Sequence, residues 1–140
     1  MKRLRLTAFC LIISLLMLAL GGCAGSRPPV EGVWQKIAPP THDGDQPAVK
    51  VLVDGHFAFG KQVGGRCGTW SGGGLYGFEE GRYTETIVYH SLPSLVGMTI
   101  DFECVIKDGK WFHEADFEAA GERFHIVEVW ERVGEVVGED

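Results

Sequence analysis

Positive charge is scarce along most of this sequence. Its 140 residues include 13 lysines and arginines against 19 aspartates and glutamates, which gives a net charge of −6. Three of the basic residues, Lys2, Arg3 and Arg5, lie at the very start, so ten basic and 19 acidic residues leave the rest at −9. Basic patches bind nucleic acids and anionic headgroups, so we expect no nucleic-acid partner and no membrane contact through the protein surface itself.

The sequence also lacks the spaced motifs that hold metals, phosphates or activated nucleophiles. The glycine-rich stretch 64–74 has no Gly-Lys-Ser/Thr ending and no helix after it, so it favours a bulged or kinked strand over a phosphate loop. No serine or cysteine has an identifiable base nearby in sequence. We predict no metal and no cofactor, because no two histidines pair at a typical ligand spacing among His42, His56, His90, His113 and His125.

A single long apolar run, Leu6–Leu20, follows the basic start. A membrane-spanning helix needs about 20 apolar residues, and this run is shorter and ends on Gly21-Gly22. A basic start, a short apolar core and small residues at a cleavage site are typical of a secretory signal. The sequence therefore predicts a signal peptide over residues 1–22.

The run ends in a more specific four-residue motif. Leu20-Gly21-Gly22-Cys23 resembles the lipobox of bacterial lipoproteins. The resemblance implies lipidation of Cys23 and anchoring to the cell envelope through acyl chains. Residues 24–30 are small and proline-rich, so we predict that 23–30 comprise the lipidated cysteine and a tether. Ala24 in place of aspartate implies the outer membrane of a Gram-negative host. The alternative is an ordinary cleaved signal with an incidental cysteine.

Two further cysteines, Cys67 and Cys104, remain in this exported part of the chain. A disulfide between them suits an oxidising compartment and would stabilise the fold by roughly 3–4 kcal/mol in the chain-entropy model. Two reduced thiols, with Cys104 as a small core residue, are the alternative.

From Glu31 onward the pattern is all-β. Short runs rich in β-branched and aromatic residues alternate with turn signals, among them Asp54-Gly55, Asp108-Gly109 and Glu79-Glu80-Gly81. We predict an antiparallel up-and-down barrel of about eight strands over residues 31–134, followed by an acidic tail over 135–140. The predicted strands are Gly32–Ile37, Val49–Val53, His56–Gln62, Gly73–Phe78, Arg82–His90, Met98–Ile106, Lys110–Asp116 and Phe124–Val133.

The two ends of this barrel carry a recognisable pair. Gly32-Val33-Trp34 opens the first strand and Trp130-Glu131-Arg132 closes the last one, which resembles the calycin superfamily of lipocalins and their relatives. Together with Gly109-Lys110-Trp111, the pair is similar to small lipocalin-like domains of exported bacterial proteins. The resemblance implies that Gly32, Trp34 and Arg132 stabilise the closed end, with the arginine lying across the indole.

Most predicted strands lack a purely apolar face, which suggests a lumen with a few polar groups among aromatic ones. Tyr83, Glu85, Glu128 and Trp130 are the candidate lumen residues. Alternatively, the two glutamates point outward into solvent, or one of them is buried against Arg132.

We therefore expect a membrane-anchored barrel that binds a small, partly apolar ligand in its lumen. One alternative is an interaction or envelope-assembly module with a packed barrel and an apolar outer patch. A less favoured alternative is an enzyme that uses a lumen carboxylate beside a titrating partner.

Replacement of the candidate lipidation site tests the predicted anchor. We expect Cys23→Ser to leave an unprocessed or soluble protein, because no sulfur remains to carry the lipid. Membrane fractionation and intact-mass measurement check this result. An unchanged membrane fraction would contradict the lipoprotein prediction.

Overall fold

The computed structural model describes residues 27–41, 45–64 and 68–134. They form eight antiparallel strands in one closed barrel, in which each strand pairs with the next in sequence and the last pairs with the first. A single turn of 3₁₀ helix, Pro93–Leu95, lies between the fifth and sixth strands. The predicted all-β, up-and-down barrel of eight strands is confirmed. The strands are β1 Gly32–Ala38, β2 Val49–Val53, β3 His56–Val63, β4 Gly68–Glu79, β5 Arg82–His90, β6 Thr99–Lys107, β7 Lys110–Ala119 and β8 Glu122–Arg132.

Two-residue turns join four of the strand pairs. Asp54-Gly55, Glu80-Gly81 and Asp108-Gly109 each have two residues of positive φ, the geometry of tight hairpins. A fourth such turn, Ala120-Gly121, extends β7 and β8 beyond their predicted ends. The first three turns lie at the same end as the start of β1, which we call the closed end. The loop before β2, the 3₁₀ turn and Ala120-Gly121 lie at the opposite, open end.

The closed end is plugged by an indole. The Trp34 side chain is fully buried, and its Nε1 donates to the carbonyl of Val30 at 2.7 Å. The Arg132 guanidinium carbon lies 4.3 Å from the centroid of the Trp34 ring. Val30 is itself fully buried, so the segment predicted as a tether already packs into the barrel at this residue.

Gly32 is required where the plug meets the arginine. Its φ is +131°, a region that side chains rarely adopt, and a Cβ there would collide with Nη1 of Arg132. The same guanidinium donates to the carbonyls of Glu31 at 2.7 Å and Pro29 at 2.8 Å. Gly32, Trp34 and Arg132 therefore form one set of contacts, here called the contact set, that joins the first strand to the last.

The glycine-rich segment forms the first half of β4, which begins at Gly68 and not at Gly73 as predicted. Its residues pair with β3 through the backbone, which needs no β-branched side chains. The register with β5 shifts between Gly73 and Gly74, in agreement with the bulge expected from the glycines. A Cβ on Gly74 would collide with the backbone carbonyl of Thr86.

Cys104 has a free thiol in this structure, and its Sγ donates to the carbonyl of Gly81 at 3.3 Å. The structure therefore shows the reduced form of Cys104. The residue predicted to pair with it, Cys67, lies outside the described residues.

No helix in the described part of the chain is long and apolar enough to cross a bilayer.

Substitution of Gly74 tests the close packing at the bulge. We expect Gly74→Ala to lower the free energy of unfolding by about 1–3 kcal/mol, because the new methyl group meets backbone that must move. Gly60→Ala is the matched control, since its nearest neighbour would lie at an ordinary 3.9 Å. Urea denaturation measures both variants. Equal unfolding free energies would show that the bulge does not depend on Gly74.

Candidate ligand-binding cavity

A cavity of about 430 Å³ lies inside the barrel and reaches the open end. This size falls within the range of about 300–1,000 Å³ that is usual for small-molecule sites. Its apolar wall comes mainly from β5 to β8 and from the 3₁₀ turn. The main apolar side chains of the lining are Phe59, Trp70, Ile87, Leu92, Leu95, Ile100, Phe102, Phe117, Phe124, Ile126 and Trp130.

The floor of the cavity is an ion pair that crosses the barrel. Nζ of Lys50 on β2 lies 2.7 Å from Oε1 of Glu85 on β5, two strands that are not neighbours. Both residues are buried, at 4% and 5% exposed. Below the pair, toward the closed end, the interior is filled by Trp34, Leu52, Tyr83 and Trp111.

The Lys50 ammonium is enclosed by aromatic rings. Six ring centroids lie between 4.9 and 6.0 Å from its Nζ atom. Cation–π attraction is strongest for such a desolvated cation and offsets part of the cost of burying it. The rings belong to Phe57, Phe59, Tyr83, Phe102, Trp111 and Trp130.

Tyr83 completes the floor from below. Its hydroxyl donates to Oε1 of Glu85 at 2.8 Å, the same oxygen that Lys50 contacts. Burial, together with the charge of Glu85 and this hydrogen bond, raises the pKa of Tyr83 well above its ordinary value. Tyr83 therefore stays protonated and acts as a donor.

A second carboxylate, Glu128, lies on the wall beside the floor. Its Oε1 is 3.3 Å from Nζ of Lys36, and its Oε2 is 2.8 Å from Nε2 of His113. Burial raises the pKa of Glu128, but the hydrogen bond from His113 and the charges of Lys50 and Lys36 outweigh it and lower the pKa to about 2. Glu128 is therefore ionised at neutral pH.

The proton of His113 can be assigned from its partners. Burial lowers the pKa of His113, even though its hydrogen bond to Glu128 favours the charged form, so the ring is neutral. An ionised carboxylate only accepts hydrogen bonds, so Nε2 carries the proton and Trp130 Nε1 donates to Oε2 of Glu128 at 3.2 Å. Nδ1 of His113 is then a buried acceptor without a partner among the described residues.

The structure brings all four candidate lumen residues into the interior, where Tyr83 bonds to Glu85 and Trp130 bonds to Glu128. Neither glutamate points into open solvent, and Glu128 pairs with Lys36 where the sequence allowed a pairing with Arg132. Whether the four bind a ligand stays a prediction.

Sequence reasoning missed the lysines that line the cavity, Lys36, Lys50 and Lys61. Period-two alternation from Trp34 places Lys36 inside, a signal that was present in the sequence. For Lys50 the signal is misleading, because β2 points Val49, Val51 and Val53 outward and buries the lysine between them. Cys23, the signal 1–22 and the tail 135–140 lie outside the described residues, and their assignments stay predictions.

The ionisation of Glu128 predicts acid sensitivity. Its pKa is about 2 in the folded protein against an ordinary 4.5, so its stabilising contribution is complete above about pH 4.5 and is lost as the pH falls through 2. This contribution is about 3 kcal/mol. We expect Glu128→Gln to flatten the pH dependence of unfolding between about pH 5 and pH 2. Glu118→Gln, on the exposed outer face, is the matched control. If the unfolding free energy of Glu128→Gln changes with pH as steeply as that of the wild type, Glu128 is not the group responsible.

Comparison with known proteins adds no assigned function to this geometry. No protein-family model matches the chain, and no curated protein matches it. The closed, eight-stranded antiparallel barrel is consistent with a lipocalin-like fold. The cavity and the groups that line it are therefore the features that point to a function.

Proposed function

We propose that this protein is a membrane-anchored lipoprotein whose lipocalin-like barrel binds a small, partly apolar ligand. The observation that carries the proposal is the cavity of about 430 Å³, with aromatic and aliphatic walls and a few convergent polar groups at its floor. Sites for small molecules have this composition. The predicted lipid on Cys23 would hold the barrel at the cell envelope.

A second candidate, an interaction module, has one observation in its favour. The outer face of β1 and β2 exposes five apolar side chains that lie side by side, each between 39% and 53% exposed. Contiguous apolar patches of this kind are typical of docking surfaces. The five are Val33, Ile37, Val49, Val51 and Val53.

Filling the cavity tests ligand binding. Native mass spectrometry of protein extracted from its membrane, with a thermal-shift screen of lipids and aromatic compounds, identifies a bound molecule. We expect Ile126→Trp, whose side chain enters the cavity, to abolish the thermal shift. Val127→Trp is the matched control, because Val127 is the next residue and points outward.

Loss of the shift in Ile126→Trp alone, with both variants folded by circular dichroism, supports the proposal. Equal shifts in the two variants would place binding outside the lumen. The absence of any ligand or shift in the wild type would favour the interaction module.

A further inference from the structure

The lumen wall is balanced in charge. Three lysines line the cavity, and each lies against one carboxylate. Lys50 pairs with Glu85 at 2.7 Å and Lys36 with Glu128 at 3.3 Å, while at the open end Lys61 lies 3.1 Å from Asp45. Burial lowers the pKa of His90, the histidine of the lining, and of His113 next to the second pair, so both rings are neutral and the described wall carries no net charge.

The floor nevertheless keeps both hydrogen-bond donors and acceptors for a ligand. The Lys50 ammonium has three N–H groups, of which one donates to Glu85, and its other neighbours are aromatic rings. Glu85 uses Oε1 for Lys50 and Tyr83, while its Oε2 makes no hydrogen bond within the described part of the chain. A group that both accepts from an ammonium and donates to a carboxylate fits this floor.

A charged head would bind poorly in the same place. An ion loses its hydration on entering the barrel. The free-energy cost of this dehydration is offset only if the ion meets an unpaired opposite charge. Each lumen lysine already faces a carboxylate, so an anion or a cation would leave one charge uncompensated. An uncharged hydroxyl or amide loses far less hydration and can regain its hydrogen bonds at the floor.

The apolar part of the ligand has a defined direction. Above the Lys50–Glu85 floor the cavity walls are Ile100, Phe117, Phe124 and Ile126, and they continue to the open end. Because the closed end below the floor is densely packed, the apolar chain of the ligand extends toward the opening and its polar head lies at the floor.

We infer that the ligand is an uncharged amphiphile that lies head-down, its hydroxyl or amide group hydrogen-bonded to both Lys50 and Glu85. The inference rests on the proposed ligand-binding function and names the class of its ligand. A fatty-acid anion and an alkylammonium ion are both disfavoured by the same balanced wall.

Three probes of equal chain length test the inference: decanol, decanoate and decylammonium. Isothermal titration calorimetry at neutral pH measures their dissociation constants on the wild-type protein. We expect decanol to bind at least about tenfold tighter than either ion. Tighter binding of decanoate or decylammonium would overturn the inference and leave the proposed function standing, whereas no binding of any probe would count against both.

Two variants shift the balance of the wall in opposite directions. Glu85→Gln leaves Lys50 unpaired, and we expect decanoate to gain about tenfold relative to decanol. Lys36→Met removes the lysine that pairs with Glu128, on a better-solvated part of the wall. In this variant we expect decylammonium to gain affinity relative to decanol. Lys36→Met therefore keeps the test available if Glu85→Gln does not fold.

Lys107→Met is the matched control, because it removes one positive charge from an exposed position at the end of β6. It should leave the relative affinities of the three probes unchanged. Unchanged relative affinities in both lumen variants would overturn the role of charge balance, as would a change in Lys107→Met equal to that in Lys36→Met.

Discussion

The contact between Arg132 and Trp34 joins the two ends of the barrel. Arg132 is the last residue of β8, yet its guanidinium covers an indole of β1 and binds the carbonyls of Pro29 and Glu31. An up-and-down sheet has two free edges until its first and last strands pair. The contact set holds that pairing at the closed end, and the interior on which the cavity depends exists only because the sheet is closed.

The interior is divided into two regions by a buried ion pair. A buried pair is seldom a strong source of stability, because dehydration of both charges offsets most of their attraction. Here the lysine is also enclosed by rings and the carboxylate accepts a tyrosine hydroxyl. We interpret the Lys50–Glu85 pair as a feature kept for its position, which separates a solid plug from an accessible lumen.

Much of the fold could be predicted because its signals are local. Asp-Gly turns and alternating strands each follow from a few neighbouring residues, and the inward face of Tyr83 and Glu85 follows from period-two alternation. The contact between Trp34 and Arg132, far apart in sequence, was implied only by the resemblance to the calycin superfamily. The partners of Tyr83 and Glu85 could not be predicted. Lys50 and Glu85 meet across the lumen, and this contact depends on how the whole sheet curves and closes, which no short segment of the sequence determines.

The burial of Val30 fixes the place where the chain leaves the barrel. Val30 lies seven positions after Cys23, and an extended chain of that length spans at most about 25 Å. If Cys23 carries the proposed lipid, the plugged end stays close to the anchoring bilayer and the mouth of the lumen lies on the far side. A ligand would then be exchanged with the aqueous space or with a carrier facing it, and not with the leaflet that holds the protein.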